Sequence, residues 1–161
     1  MGDVAMTVPV VYSLAHQYPA LRISVLSRPF AKAFFSYMPK NVDFIAADLK
    51  NEYKGIKGLN QLYGRLKAKQ PTAIADFHDV LRSKYIRTRF TLCGYKTAHI
   101  NKHKNGKRKL CRQKDKVMEQ QPTSFQNYAE VLSKLGYPID LSFTSLFAND
   151  GNQLSQLPNI I

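Results

Sequence analysis

Apolar positions recur along this chain at two spacings that alternate. Val4, Val8, Val11 and Leu14/Ala15 fall near a 3.6-residue period, which predicts a helix over 4–18 ending before Tyr18-Pro19. Pro9 lies too deep for a clean helix interior and predicts a kink or an irregular first turn. Arg22-Ile23-Ser24-Val25-Leu26 alternates and is rich in β-branched residues, so it reads as a strand. Ser27-Arg28-Pro29 turns into a second helix, Phe30 to Tyr37, stopped near Pro39. Val42 to Ala46 reads as another strand.

Lys50 to Lys57 is polar and loop-like. Leu59, Leu62, Tyr63 and Leu66 then mark one face of a helix whose other face carries Arg65, Lys67 and Lys69. Thr72 to Phe77 is a short apolar strand after Gln70-Pro71. Val80 to Leu92 predicts a helix with a basic face of Arg82, Lys84, Arg87 and Arg89, closed by Gly94. Lys96 to Ile100 is a last short strand. Thr123 and Gln126 have the spacing of a capping box. They open a helix with Phe125, Tyr128, Val131, Leu132 and Leu135 inward and Gly136 at its end. No element is evident from Leu141 onward. Helices and strands in this alternation predict an α/β fold, a parallel sheet with helices on both faces.

The 161 residues suffice for a domain with a real core, and 44% of them are hydrophobic. Charge changes the picture more than size does. Lys and Arg number 24 against 11 Asp and Glu, a formal net charge of +13. Such an excess points to an anionic partner, whether nucleic acid, an acidic membrane surface or a phosphorylated substrate. The densest run is Lys102 to Lys116, where eight Lys/Arg and one His face a single acid, Asp115. It contains no aromatic residue for base stacking, and no helix-turn-helix, zinc-finger, RRM or KH signature is present. A solvated basic loop is the ordinary fate of such a run. Cys93 and Cys111 suggest neither a disulfide framework nor a zinc site, and a reduced compartment is the default. No apolar run approaches the ~20 residues of a membrane span, and Met1-Gly2-Asp3 lacks the basic start of a signal peptide.

Two places could carry chemistry. Asp3 precedes the first helix, where a carboxylate serves either as an N-cap or as a reactive group in a cleft. Asp76, His78 and Asp79 stand at the end of a strand, but their spacing is too loose to define a metal site.

Met1-Gly2-Asp3-Val4-x-x-Thr7-x-Pro9 resembles the loop motif that opens the ADP-heptose:lipopolysaccharide heptosyltransferases, glycosyltransferase family 9. Asp76-Phe77-His78-Asp79-Val80-Leu81-Arg82-Ser83 is similar to that family's Asp-x-x-x-x-x-(Arg/Lys)-Ser segment, and the stretches Lys107–Lys116 and Tyr128–Pro138 follow in the family's order. The resemblance covers roughly residues 1–140. It implies the Rossmann-like N-terminal half of a two-domain GT-B enzyme. Residues 1–140 would form the acceptor-binding domain, and 141–161 a linker toward a donor-binding half. It assigns Asp3 as the base. Gly2, Arg82, Ser83, Lys84, Lys107, Arg108 and Arg112 would bind the acceptor. The donor would be ADP-heptose, with no cofactor or metal. The acceptor would be an anionic glycolipid of the lipid A–Kdo type, reached at the cytoplasmic face of the inner membrane, and nucleic acid is not an expected partner. A basic nucleic-acid-binding or non-catalytic binding domain is the alternative. The family's first strand, normally just before the Gly-Asp loop, is not seen in this sequence. Without it, the strands that flank it should lack their shared neighbour, leaving the sheet rearranged, paired elsewhere or unstable.

Overall fold

Helix formation begins earlier than the periodicity indicates, and it begins twice. In the computed structural model, which describes residues 2–102 and 122–141, a one-turn helix α1 spans Gly2–Ala5 and a second helix α2 spans Val8–Gln17. The Gly2 carbonyl already accepts the Met6 amide at 3.0 Å, so Asp3 sits inside the first turn of α1 and is not its N-cap. The predicted single helix over 4–18 is divided at Met6-Thr7. There the Thr7 hydroxyl donates to the Val4 carbonyl at 2.7 Å. Pro9 falls in the first turn of α2, where its missing N–H costs nothing, and this is the irregularity its position predicts.

The described residues fall in two compact units, 2–52 with 139–141 and 53–102 with 122–138. In the first, β1 (Ile23–Ser27) pairs in parallel with β2 (Val42–Ala46), Ile23 opposite Val42 and Ser27 opposite Ala46. Between them Pro29–Phe35 forms a 3-10 helix rather than the expected α-helix over 30–37. Its bonds run from Ala31 to Arg28 and from Ser36 to Ala33. Val8 and Val11 of α2 meet Phe35, and Val4, Ile23, Val25, Phe34, Met38, Val42 and Phe44 close around them. Phe35 and Phe44 stack with centroids 5.6 Å apart. The Asn41 side-chain amide donates to the carbonyls of Ala15, Tyr18 and Leu21, at 3.1, 3.4 and 3.1 Å. It therefore ties the end of α2 to the start of both strands.

In the second unit α3 spans Gly55–Lys67, so its first turn takes up part of the stretch that looked like a loop. Gly58 makes this possible. A Cβ there would stand 2.3 Å from the Tyr53 carbonyl carbon, inside any allowed contact. β3 (Ala73–Asp76) and β4 (Lys96–His99) pair in parallel, joined through α4 (Leu81–Leu92). The fifth helix, α5 (Ser124–Leu135), packs on both strands. It opens with the predicted capping box: Gln126 N–H donates to the Thr123 hydroxyl at 3.2 Å and Thr123 N–H to the Gln126 side chain at 2.8 Å. It ends on Gly136 at φ 96°, a left-handed position that suits glycine. Lys96 of β4 donates to the Leu135 carbonyl at 2.8 Å, placing a cation at the negative end of α5. Leu62, Ile86, Phe90, Ala98, Tyr128, Val131, Leu132 and Leu135 are among its buried apolar residues. Phe90 lies 4.7 Å from the Tyr63 ring and edge-on to Tyr95 at 5.1 Å.

The protein is thus a mixed α/β structure with parallel strands. Among the described residues its strands form two separate pairs, β1–β2 and β3–β4, and not one continuous sheet. No described helix is long and apolar enough to cross a membrane.

Candidate functional site

The carboxyl end of β3 is the most organised polar site among the described residues. Ala73-Ile74-Ala75 extends the strand, and Asp76 is its last residue. The Ile100 amide donates to the Asp76 carbonyl at 2.9 Å and carries the pairing past the strand end. The Asp76 side chain is then free to shape the turn. One carboxylate oxygen accepts the amides of His78 and Asp79 at 3.0 and 2.8 Å, an aspartate turn. The other accepts Arg87 Nη1 at 2.9 Å.

The same Arg87 nitrogen reaches Asp79 Oδ1 at 3.0 Å, while Lys84 Nζ lies 3.4 Å from Asp79 Oδ2. Asp79 adopts φ 44°, a left-handed conformation that aspartate tolerates better than most residues. Burial alone would raise its pKa. The Arg87 hydrogen bond and the Lys84 charge outweigh burial and hold the carboxyl below its ordinary value. Asp76 and Asp79 are therefore satisfied by cations of α4. Among the described residues no cluster of three or more His, Cys, Asp or Glu side chains is arranged to hold a metal.

α4 begins immediately after this turn. Val80 occupies the N-cap position but has no side-chain acceptor, and Ser83 compensates. The Ser83 hydroxyl accepts the Val80 amide at 3.0 Å and donates to the Val80 carbonyl at 3.1 Å. Of the three adjacent residues expected to bind an acceptor, Ser83 is thus held within the helix start and Lys84, though exposed, is paired with Asp79. Arg82 is exposed and is the one of the three that makes no hydrogen bond or ion pair among the described residues.

Gly2 and Asp3 lie together on α1, both exposed, in the other compact unit. Lys107, Arg108 and Arg112 lie outside the described residues, as does the run from His103 to Lys116. Cys93, exposed at the end of α4, lies 3.2 Å from the Tyr63 hydroxyl, and that contact, followed by burial, raises the Tyr63 pKa. Arg89 covers the Tyr63 ring at 4.4 Å.

Arg87 is the residue that sequence reasoning missed. It stands 11 positions from Asp76, and the basic face of α4 hid it among Arg82, Lys84 and Arg89. Its place one helical turn inward from Ser83, next to the buried Ile86, is the only signal that could have singled it out. No protein-family model, no curated protein and no solved structure matches the chain.

Proposed function

We propose that the chain is the acceptor-side half of an inverting glycosyltransferase that moves heptose from ADP-heptose to the inner core of a lipopolysaccharide. One observation supports this above others. The Asp76-to-Ser83 segment is an ordered turn at the carboxyl end of a parallel strand, and it leaves Arg82 exposed without a local partner. Ligands of parallel α/β domains gather at such strand ends.

In this proposal the acceptor hydroxyl gives its proton to the Asp3 carboxylate as its oxygen bonds to the anomeric carbon of the heptose. The bond from that carbon to the diphosphate oxygen breaks with inversion, and ADP leaves with the electron pair. Gly2 lets the acceptor approach the backbone. Arg82 takes a phosphate or carboxylate of the acceptor in a two-pronged contact, with Lys84 adding charge and Ser83 fixing the start of α4. Lys107, Arg108 and Arg112 are assigned to the same acceptor, an anionic glycolipid at the cytoplasmic face of the inner membrane. The donor sugar nucleotide belongs to a second half. No cofactor or metal is assigned.

The test is transfer by the complete gene product from ADP-heptose to a Kdo-bearing lipid A, with and without Asp3→Asn. A loss of about 100-fold or more in turnover, with the fold intact, is expected for a missing base. Arg82→Gln should raise the KM for the acceptor and leave kcat nearly unchanged. Unchanged transfer in Asp3→Asn would return that carboxylate to a role in starting α1. Absence of transfer in both proteins would favour a domain that binds an anionic partner without catalysis.

A further inference from the structure

Leu81 and Leu92 are the most exposed large apolar residues among those described, at 86% and 82% of their full surface. They stand at the two ends of α4, and the helix places them on one line. At about 100° per residue, Leu81, Tyr85, Thr88 and Leu92 fall within about 60° of one another. Ile86 and Phe90, which face the core, lie on the opposite side. Among the described residues α4 is therefore apolar on two faces, and only one of them is covered.

Charge flanks the uncovered face. Arg82 and Arg89 lie along one side of the stripe and Lys84 along the other. Tyr85 and Arg89 both donate to the Asn60 side chain of α3, so α3 borders the stripe on the Arg89 side. Ile56, one turn before Asn60, is itself 68% exposed. Neither α3 nor α4 contains an acid. From Tyr53 to Lys102 there are eleven Lys and Arg against two acids, Asp76 and Asp79, and both acids are already paired with cations of α4.

We propose that the outer face of α4 docks on an anionic lipid bilayer. Leu81 and Leu92 enter the boundary between headgroups and acyl chains, and Arg82 and Arg89 meet the lipid phosphates. An apolar line flanked by cations and free of acids is the surface such a boundary accepts, with the helix lying in the membrane plane. A nucleic-acid surface would use the cations but leave the two leucines in water. The docking rests on the membrane-surface part of the function proposed above, and it narrows that part to one helix face. It would hold α4, with the β3 turn before it, against the layer from which a glycolipid acceptor comes.

The chain contains no tryptophan, so Leu92→Trp provides a single fluorescent reporter on this face. With the full chain, vesicles of phosphatidylcholine mixed with phosphatidylglycerol should blue-shift its emission, and brominated acyl chains should quench it. Pure phosphatidylcholine vesicles should do neither, and added salt should reverse the shift. In flotation with the same mixed vesicles, Leu81→Gln/Leu92→Gln should lose at least ten-fold in retention while keeping its circular dichroism spectrum. Equal retention of the double variant would overturn the proposal in favour of adsorption by charge alone. A reporter blind to vesicles would overturn it too, whether its emission instead responded to duplex DNA or to the concentration of the chain itself. Neither measurement needs donor or acceptor. Failed transfer with intact docking would sink the transferase reading alone, and the reverse result would sink only the docking.

Discussion

Arg87 Nη1 lies 2.9 Å from Asp76 Oδ2, and the two side chains retain only 15% and 5% of their exposure. The same nitrogen lies 3.0 Å from Asp79 Oδ1. One guanidinium from the middle of α4 therefore binds both the last residue of β3 and the residue that turns the chain toward the helix. A carboxylate this buried needs such a partner, because desolvation without compensation costs more than a neutral group of that size would.

Replacing Arg87 by Met keeps much of the packing and strands Asp76. The two amides of the aspartate turn remain, so the loss should fall at the low end of the range for a broken buried pair, about 2–3 kcal/mol. Urea unfolding should show a lower midpoint with an unchanged slope. Arg87→Lys should recover part of the loss, since an ammonium keeps the charge but sits on a stem one atom shorter than the one that carries Nη1 to both carboxylates. A midpoint unchanged in Arg87→Met would show that the pair contributes nothing net.

The pH dependence of this brace has a definite sign. Asp79 is held below its ordinary pKa of 3.8, so the folded state prefers the carboxylate more than the unfolded state does. Its contribution is complete above the ordinary value and is lost as pH falls through the lowered one. Asp79→Asn keeps a side chain suited to φ 44° but removes the charge. The gap in unfolding free energy between wild type and variant should be constant near neutrality and shrink once pH drops below 3.8. A gap that stays level across that window would assign the effect of Asp79 to turn geometry alone.

What could be read in advance, and what could not, divides along physical lines. Local signals held: the Thr123–Gln126 box, the glycine ends at Gly94 and Gly136, and Pro9 at an irregular helix start all act within one turn of chain. Asp3 as an N-cap failed by the smallest margin, because the helix takes in the Gly2 carbonyl. Contacts set by tertiary placement left no trace in spacing. Asn41 reaches carbonyls 20 to 26 residues away, and Arg87 finds Asp76 only once α4 folds back on β3. The outer stripe of α4 escaped for a different reason. Leu81 and Leu92 oppose Ile86 and Phe90, so the apolar positions of that helix cancel as a one-sided pattern. Candidate site residues were visible as residue types, whereas the partners that occupy Ser83 and Lys84 and leave Arg82 exposed were not.

Asn41 should be more important than its sequence position suggests. Its amide serves three carbonyls at the end of α2 and in the following turn, and its own carbonyl accepts the Ile23 amide at 2.9 Å. Asn41→Ala leaves those three carbonyls without this donor while the backbone bond survives. A loss of about 1–2 kcal/mol is expected, with Asn41→Asp no better, because a carboxylate cannot donate. Hydrogen exchange should locate the effect at the Tyr18–Ile23 turn and the start of β1. Uniform exchange changes across the whole chain would contradict a local clamp.

Two glycines of α3 should respond to the same substitution with opposite signs. At Gly64 an added Cβ meets nothing within 4 Å, and the backbone is ordinary helix. Alanine there restricts the unfolded chain and improves helix propensity, so Gly64→Ala should stabilise by about 0.5–1 kcal/mol. At Gly58 the same methyl would stand 2.3 Å from the Tyr53 carbonyl carbon and 2.6 Å from its Cα. Backbone cannot rotate away as a side chain can. Tyr53 is itself buried, and its hydroxyl accepts a 2.9 Å bond from Arg65, about two helix turns further along α3. Relief would therefore have to shift the entry of α3 as a whole. Gly58→Ala should cost about 1–3 kcal/mol, the range for overpacking a tight contact, despite the gain in propensity. Thermal melts of the two variants should move to either side of the wild type. Two upward shifts would show that the chain from Tyr53 into α3 can be displaced at little cost.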